Sequence, residues 1–504
     1  MSLPTAAPKP KRKTSSTPSR IDAVLESPSA TWYLLAAAAI LASLNVMGAL
    51  RADEVWSLNT VAKPFAEMMA ELRGDIHPPL YYWLLFPWVR IFGDTEFALR
   101  SLSGLFYLAS VFALHRGSRQ IIGARTATIT AAIYLTTPLT ILAAHMARMY
   151  SLLSLISILS TQLYWTLFVE EKRSRGKLAL FALVNALGTM THIWFFFLLF
   201  AEATHWLILR RKNVIAFTAA MAASLAPYTI LWLPTLLRQL GKSQEAAAWL
   251  LPPTASDVGV LAFLYAGTLC LLLPPAIWHM IKRRIAPDPS WIGWTLLLIT
   301  TLAVPFAISF IKPVFYSRFT VVGLHLFALA AAACISRVSN WQLPVLLTAI
   351  AVAGCAYSST GLGTCDGNWG ANYLVKQAAD GDTAIFPSLS RPPVDYYLQR
   401  KPSGSPAISE TSFPAEIDAH PGYEGSVLAP SRQAALKQEA EALAARLKAR
   451  GGRVFYLRGF HPEVDAYIDA AFDRAFRRDA TKSFECNGMP SYYNAITAWT
   501  STTP

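Results

Sequence analysis

The chain has 504 residues, of which 54% are hydrophobic and only 15% are charged, and its formal net charge is +13. Since soluble domains have about 25% charged residues, this composition excludes an ordinary soluble protein and predicts one that crosses a membrane several times. Lysine and arginine collect in alternate loops, as expected on the cytoplasmic side of a membrane protein, so the positive charge does not indicate nucleic-acid binding.

The apolar runs are continuous and do not alternate with polar residues, which favours helices over a membrane barrel. Residues 1–30 are basic and rich in Pro and Ser, and we expect them to form a disordered cytoplasmic tail. Residues 31–360 are predicted to form an all-α polytopic domain with about 11 transmembrane helices, the N-terminus inside and the C-terminus outside. The predicted spans are 32–50, 98–114, 126–144, 149–168, 178–192, 194–209, 214–235, 258–280, 291–311, 319–335 and 341–359.

A polar loop on the predicted outer side, about residues 51–97, separates the first two spans and is called the first outer loop. It has an acidic pair, Asp53 and Glu54, at one end and His77 followed by two prolines further along. A carboxylate at a membrane boundary can act as a general base. Each feature also has a plainer explanation, since the pair can begin a solvated helix and His-Pro-Pro can be a turn.

Several cations depart from the positive-inside pattern because they fall on the predicted outer face. Arginine offers a planar fork that suits phosphate, so a cluster of such cations predicts a site for an anionic headgroup. The outer cations are Arg51, Arg73, Arg148, Lys242, Lys312 and Arg318. Two other ionisable residues, His192 at a hairpin tip and Glu202 within a span, are more typical of hydrogen bonds between helices than of catalysis.

Residues 361–504 have a different composition, which predicts a small α/β domain on the outer, periplasmic side. DTAIFPSL and GRVFYLRGF are typical of strands, and SRQAALKQEAEALAARLKAR and EVDAYIDAAFDRAF of amphipathic helices. Cys365 and Cys486 bracket this region and are candidates for a disulfide if it lies outside the cytoplasm. None of the five cysteines has the spacing of metal ligands.

Five segments between about residues 40 and 335 combine polar and aromatic residues with apolar runs in a distinctive order. They are GDIHPPLYYWLL, FGDTEFALRSLSGL, PLTILAAHMARMYSLLSL, THIWFFFLLF and YSRFTVVGLHLFALAAA. Together, and in this order, they resemble the GT-C glycosyltransferases, in particular the protein O-mannosyltransferase and aminoarabinose-transferase group, glycosyltransferase family 39 or 83. The C-terminal domain resembles the variable outer domains of such proteins.

The resemblance implies inverting transfer of a monosaccharide from a polyprenyl-phosphate carrier to an acceptor hydroxyl on the periplasmic face. The acceptor can be a lipid, a polysaccharide or a protein. By the same resemblance, Asp53 is the catalytic base and Glu54 its neighbour in the acidic pair. The carrier phosphate is expected to contact His77, Arg148 and Arg318.

The expected substrate groove consists of aromatic and polar side chains near these residues. The late motif contains Arg318-Phe319 where many relatives have Arg-Tyr, so the role of that hydroxyl is either absent or taken by Tyr316. The expected groove residues are Tyr81, Tyr82, Tyr150, His192 and Tyr316.

The expected chemistry requires no cofactor. A sugar phosphate ester already has a good leaving group, so one base, with cations where negative charge develops, is sufficient. A divalent cation near Asp53, Glu54 and His77 stays an open alternative. The outer domain contains no Asn-x-Ser/Thr sequon, which favours the bacterial cytoplasmic (inner) membrane. The expected partners are the lipid-linked donor, the bilayer and the acceptor, with no nucleic acid.

Two rival functions belong to other classes. A transporter or flippase of a lipid-linked anion should have mid-membrane ionisable residues and an internal repeat. The chain offers only Glu202 and His205 as such residues and shows no repeat. A non-catalytic assembly scaffold would tolerate the substitution Asp53→Asn.

Overall fold

The computed structural model describes two parts, a helical part up to residue 336 and an α/β part from residue 367 onward. The predicted class, an all-α membrane domain with a small C-terminal α/β domain, is confirmed. The span predicted at 341–359, Lys242, Cys365 and Cys486 lie outside the described residues, so the disulfide stays a prediction, while Cys334 is a free thiol. The described residues are 20–44, 46–74, 77–210, 212–240, 250–267, 277–278, 281–282, 284, 288, 290–336, 367–387, 390–415, 430–458, 462–484 and 493–501.

The helical part begins with α1 (Arg20–Glu26) and α2 (Ala30–Ser43). The last carbonyls of α1 are satisfied by side chains from later helices, because Arg119 donates to Glu26 O over 2.9 Å and Thr128 donates to Leu25 O over 2.7 Å. Such partners stabilise a short helix end. Residues 20–26 are therefore helical and do not belong to the disordered tail that was predicted for residues 1–30.

The first outer loop is built from three helices. They are α3 (Ala52–Ala62), α4 (Phe65–Gly74) and α5 (Leu80–Phe92). Prolines precede α4 and α5, in keeping with the preference of proline for the start of a helix. Leu80 N donates to Met190 O over 3.0 Å, which ties the start of α5 to the tip of a later helical hairpin. With 13 residues, α5 is shorter than the roughly 20 residues that a membrane span requires.

Eleven further helices of the helical part follow in the described ranges. The helices are α6 (Glu96–Ile122), α7 (Ala124–Thr136), α8 (Pro138–Ala144), α9 (Tyr150–Tyr164), α10 (Arg175–Thr189), α11 (Phe195–His205), α12 (Val214–Leu231), α13 (Leu233–Leu240), α14 (Ala255–Ala266), α15 (Trp291–Ile308) and α16 (Leu324–Ile335). A π-helical turn (Trp165–Val169) extends α9, another (Trp206–Arg210) extends α11, and a 3₁₀ segment (Ser317–Gly323) precedes α16.

Five helical segments of the described chain are long and apolar enough to cross a membrane, and α7 with α8 makes a sixth if that bent pair is one span. The five are α6, α9 with its π turn, α12, α15, and the 3₁₀ segment with α16. Helices α7 and α8 meet at 63° because Pro138 begins α8 and holds Thr137 in an extended conformation. The total of about 11 spans stays a prediction.

Two ionisable side chains of α11 bond to the neighbouring helix α9. Ser160 Oγ donates to Glu202 Oε1 over 3.1 Å, and Tyr164 Oη lies 2.7 Å from His205 Nδ1. Both ionisable side chains are buried. Burying a polar group is costly unless it is hydrogen-bonded, so these contacts join two helices inside an apolar environment.

The α/β part has a five-stranded sheet of order β2-β1-β3-β5-β4. Strand β1 pairs in parallel with β2 and β3, whereas β5 runs antiparallel to β3 and β4. All four residues of β1 are buried, as expected for a central parallel strand. The elements are α17 (Gly367–Gln377), β1 (Thr383–Phe386), α18 (Arg391–Leu398), β2 (Ser409–Ser412), α19 (Gln433–Arg450), β3 (Arg453–Arg458), α20 (Pro462–Ala475), β4 (Phe476–Ser483) and β5 (Ala495–Ser501).

The two strands and two helices predicted from the sequence correspond to β1, β3, α19 and α20. Leu436, Leu443 and Leu447 of α19 are buried at helical spacing, and Leu443 and Leu447 belong to the sheet core that contains Trp499. Helix α18 contacts the first outer loop, since Tyr396 Oη donates to Asp94 O over 2.9 Å. The α/β part is thus attached to the loop that contains the acidic pair.

The Asp395 carboxyl group of α18 makes the stability of the folded chain depend on pH. Arg391 contacts both Asp395, over 3.2 Å, and Glu410 of β2, over 3.7 Å. Burial and the nearby Glu410 carboxyl raise the pKa of Asp395 to about 8, although Arg391 opposes the shift. A folded-state pKa above the ordinary value of 3.8 means that the folded chain binds this proton more tightly than the unfolded chain. Stability is therefore lost as the pH rises towards 8.

We expect Asp395→Asn to flatten this loss, because the neutral amide never acquires a charge beside Glu410. Between about pH 5 and about pH 8 the wild type should lose up to about 1.4 kcal/mol per pH unit relative to the variant. Thermal unfolding in detergent across this range measures the difference. Glu463→Gln, at an exposed carboxyl of α20, serves as the control. Parallel melting curves for wild type and Asp395→Asn would contradict the prediction.

Candidate active site

The acidic pair lies in the first turn of α3, whose N-cap is Arg51. The amino end of a helix has partial positive charge, which favours carboxylates there. Successive residues of a helix point about 100° apart, so the two side chains enter different surroundings. The Asp53 side chain is 21% exposed, whereas the Glu54 side chain is 0% exposed.

Glu54 is surrounded by hydrogen-bond donors. Arg100 of α6 donates from Nη2 to Oε2 over 2.7 Å and from Nε to Oε1 over 2.8 Å. Two backbone amides complete the set, Arg51 N at 3.0 Å and Ala147 N at 2.9 Å. Burial alone would raise the pKa of the Glu54 carboxyl, but the Arg100 charge and these hydrogen bonds lower it overall. This geometry fits a residue that positions the loop rather than one that accepts a proton from a substrate.

Asp53 is the exposed member of the pair and faces two arginines. Arg318 Nη1 donates to Asp53 Oδ2 over 3.0 Å, and Arg148 Nη1 lies 3.4 Å from the Asp53 backbone oxygen. Arg318 comes from the 3₁₀ segment, and Arg148 from the turn before α9. The structure therefore brings together residues that are up to 265 positions apart in the chain.

Arg148 is held by side chains of the first outer loop. Its Nη1 donates to Ser57 Oγ and to Tyr82 Oη, each over 3.2 Å, and its Nη2 lies 3.1 Å from His77 Nε2. The Arg148 guanidinium also lies 5.8 Å from the ring centroid of Trp56. Since a guanidinium has donors only, His77 Nε2 must be the acceptor, which places the His77 proton on Nδ1.

Aromatic side chains form a wall beside the two arginines. The His192 ring lies 4.9 Å from that of Phe319 and 6.2 Å from that of Tyr150. Tyr316 Oη accepts a hydrogen bond from Arg318 Nη2 over 2.7 Å. Tyr316 thus places a hydroxyl next to Arg318, where Phe319 has none.

Tyr81, one of the expected groove residues, lies on the backbone side of Arg148. It is fully buried, and its hydroxyl lies 3.4 Å from Ser103 Oγ, which donates to the backbone oxygen of Arg148 over 3.3 Å. Tyr81 therefore lies behind Arg148, because adjacent residues of α5 cannot both face the same side. Its neighbour Tyr82 makes the direct contact with Arg148.

Several contributors to the site were not predicted. Arg100 bonds to Glu54, Ser57 bonds to Arg148, and Met146 Sδ lies 3.8 Å from Arg51 Nη1 and 4.0 Å from Arg318 Nη1. The signal for Arg100 was present, since it is a lone cation between apolar residues in FALRSLSGL. Ser57 and Met146 gave no such signal, because neither residue type is unusual where it stands.

The outer cations divide into two groups. Arg51, Arg148 and Arg318 gather around the acidic pair, whereas Arg73 and Lys312 are exposed. Among the described residues, no three His, Cys, Asp or Glu side chains are grouped as metal ligands. The site thus offers a partly exposed carboxylate paired with Arg318, with the Arg148 guanidinium at the same residue's backbone oxygen. Such an arrangement can accept a proton while it binds an anion such as a phosphate.

Comparison with known proteins gives one family match. Residues 76–237, about a third of the chain, match the model of the family described as dolichyl-phosphate-mannose-protein mannosyltransferase. The matched region contains His77, Arg148 and His192, but neither Asp53 nor Arg318. The sequence matches no curated protein at a significant level.

The fold is similar to two crystal structures of ArnT from Cupriavidus metallidurans. The structure bound to undecaprenyl phosphate has a TM-score of 0.57 and 13% sequence identity, and the match covers 94% of this chain and 98% of that chain. The apo structure gives a TM-score of 0.56 and 14% identity, with coverage of 94% and 98%. The family match and the shared fold together support a membrane glycosyltransferase of the GT-C class.

Proposed function

We propose that the chain transfers a monosaccharide from a polyprenyl-phosphate carrier to an acceptor hydroxyl, with Asp53 as the general base. The observation that supports this most is the difference between the surroundings of the two side chains of the acidic pair. Glu54 accepts hydrogen bonds from four donors, while Asp53 keeps a partly exposed carboxylate that pairs with Arg318, and its backbone oxygen lies next to Arg148. A proton acceptor beside two cations is what this transfer requires.

The transfer is a single displacement at the anomeric carbon of the donor sugar. The acceptor oxygen forms a bond to this carbon as the bond from the carbon to the phosphate oxygen breaks. The proton of the acceptor hydroxyl passes to the Asp53 carboxylate, and the bonding electron pair leaves with the polyprenyl phosphate. Displacement in one step inverts the anomeric centre.

The phosphate gains one negative charge as it leaves, and the nearby cations stabilise that charge. Arg148 and Arg318 are fixed by Ser57, Tyr82 and Tyr316, so they do not have to reorganise during the reaction. His77, which bonds to Arg148, lies beside the same position. With the positive charge supplied by arginine, the step calls for no metal ion.

The similarity to an ArnT structure bound to undecaprenyl phosphate supports a polyprenyl phosphate as the carrier. We place the reaction on the periplasmic face of a bacterial inner membrane, because the sequence puts the acidic pair and the α/β part on the outer side. Tyr150, His192 and Tyr316 would line the path of the substrates. A lipid, a polysaccharide and a protein are all suitable acceptors, since each offers a hydroxyl group.

The rival function, transport of a lipid-linked anion, has less support. Its two candidate mid-membrane residues, Glu202 and His205, are engaged with Ser160 and Tyr164 of the adjacent helix. The charges that converge, by contrast, lie around the start of α3. The polar residues thus collect where a reaction at the membrane surface would need them.

We expect Asp53→Asn to lower the transfer rate by roughly 10²–10⁴-fold, because the isosteric amide cannot accept the acceptor proton. The assay uses a radiolabelled polyprenyl-phosphate sugar, purified protein in detergent and added membrane extract, with the thermal stability of each protein measured in parallel. The stability of Asp53→Asn should fall less than that of a variant at fully buried Glu54, since Asp53 is partly exposed and its partner Arg318 also bonds to Tyr316.

Glu54→Gln is the matched control, one residue further along the same helix. It leaves the buried Arg100 without its counter-charge, and breaking a buried ion pair typically costs about 3–5 kcal/mol. We therefore expect the melting temperature to fall in this variant. An Asp53→Asn protein that transfers sugar at the wild-type rate would refute the base assignment. If no carrier sugar gave product even with wild type, a vesicle translocation assay would test the transporter.

We expect Arg148→Ala to reduce kcat/KM for the donor by about 10²–10³-fold, because one of the two guanidinium groups that stabilise the leaving phosphate is lost. Arg148→Lys should recover part of this loss, since lysine restores the charge but not the fork. Initial rates at varied donor concentration measure both variants. Arg73→Ala, at an exposed arginine of α4, is the control, and donor kinetics in Arg148→Ala equal to those of this control would contradict the assignment.

A further inference from the structure

One side chain of the α/β part reaches the backbone next to the acidic pair. Tyr397 Oη of α18 accepts a hydrogen bond from Leu50 N over 2.9 Å and donates to Glu96 Oε1 over 2.8 Å. Burial raises the pKa of the Tyr397 phenol, so the hydroxyl keeps its proton and can fill both roles at once. Leu50 is fully buried, so no water replaces this acceptor.

The bonded amide lies at the end of an irregular segment, residues 46–50, that connects α2 to α3. Side chains hold this segment, because Arg100 donates to Val46 O over 3.2 Å, to Ala49 O over 2.8 Å and also to Gly48 O. Tyr397 supplies the acceptor for the amide that follows these three carbonyls. An irregular backbone keeps one conformation only where such contacts fix it.

The position of Leu50 determines where α3 begins. The next residue, Arg51, is the N-cap of α3, and its amide donates to Glu54 Oε2. Asp53 follows two residues later, and its carboxylate must reach both Arg318 and the acceptor hydroxyl. A shift of the backbone at Leu50 therefore displaces the start of the helix and the carboxylate with it.

We infer that Tyr397 is a positioning residue for the acidic pair, so that the α/β part helps to set the geometry of the active site. The inference rests on the proposed function. A catalytic group held away from its productive geometry loses much of its effect even when it is chemically intact. Tyr397 acts on Asp53 through the backbone, and it need not touch the substrate.

The same helix makes a second contact that serves as an internal comparison. Tyr396 Oη donates to Asp94 O over 2.9 Å, and Arg400 forms an ion pair with the Asp94 carboxylate. These contacts attach the α/β part to the loop between α5 and α6. They do not reach the segment before α3. A variant that lacks one of them therefore tests the attachment of the α/β part without changing the position of α3.

The test compares Tyr397→Phe with Tyr396→Phe in the full-length protein. Each variant removes one hydroxyl from the same helix, and the transfer assay with a radiolabelled polyprenyl-phosphate sugar gives kcat and KM separately. We expect kcat to fall about tenfold in Tyr397→Phe, a change equivalent to about 1.4 kcal/mol, with KM for the donor unchanged. Tyr396→Phe should keep both values within about twofold of wild type, a difference of ~0.4 kcal/mol.

Equal kcat values in Tyr397→Phe and wild type would overturn the inference. An equal fall of kcat in Tyr397→Phe and Tyr396→Phe would also overturn it, because it would show that the two hydroxyls only attach the α/β part to the helical part. If Tyr397→Phe does not fold, Glu96→Ala tests the same contact from the membrane part, because it removes the group that orients the hydroxyl. A lower kcat in Glu96→Ala supports the inference, and wild-type kcat opposes it. Absence of transfer by wild type would instead refute the proposed function.

Discussion

The buried ion pair between Glu54 and Arg100 holds the outer end of the helical part in one arrangement. Two charges removed from water are tolerated only when good geometry and further hydrogen bonds compensate them. Glu54 meets this condition with two backbone amides, and Arg100 meets it with the carbonyls that precede α3. One pair thus fixes the helix start, the turn that contains Ala147, and the irregular segment between α2 and α3.

This constraint explains why two adjacent carboxylates have different surroundings. The helical turn of about 100° per residue directs Glu54 into the protein and leaves Asp53 at the surface. The turn before α9 contains both Ala147 and Arg148. The Ala147 amide that bonds to Glu54 therefore also sets the position of Arg148, a phosphate-binding candidate. The carboxylates of Glu54 and Asp53 are therefore linked through the backbone rather than by direct contact.

The sequence was informative where a residue type was unusual in its place. Continuous apolar runs predicted the helical class, and cations on the predicted outer face pointed to Arg148 and Arg318. It could not predict contacts between distant residues, such as that between Tyr397 and Leu50, which lie 347 positions apart. Nor could it show that Tyr81 lies behind the site, because the pattern of α5 does not say which of two adjacent tyrosines faces Arg148. Strand β4 was missed because its exposed, charged residues lack the apolar pattern of a strand.

On the proposed function, the Arg318 guanidinium contacts both the base, Asp53, and the carrier phosphate. Arg318 contacts Asp53 through Nη1 and Tyr316 through Nη2. A carrier phosphate at this position would place a second anion on the same cation, and a shared cation holds each anion less firmly. Binding of the donor would therefore weaken the ion pair between Arg318 and the Asp53 carboxylate. The carboxylate oxygen would then be available to the proton of the acceptor hydroxyl. The arginine that restrains the base before the donor binds is then the group that stabilises the phosphate as it leaves.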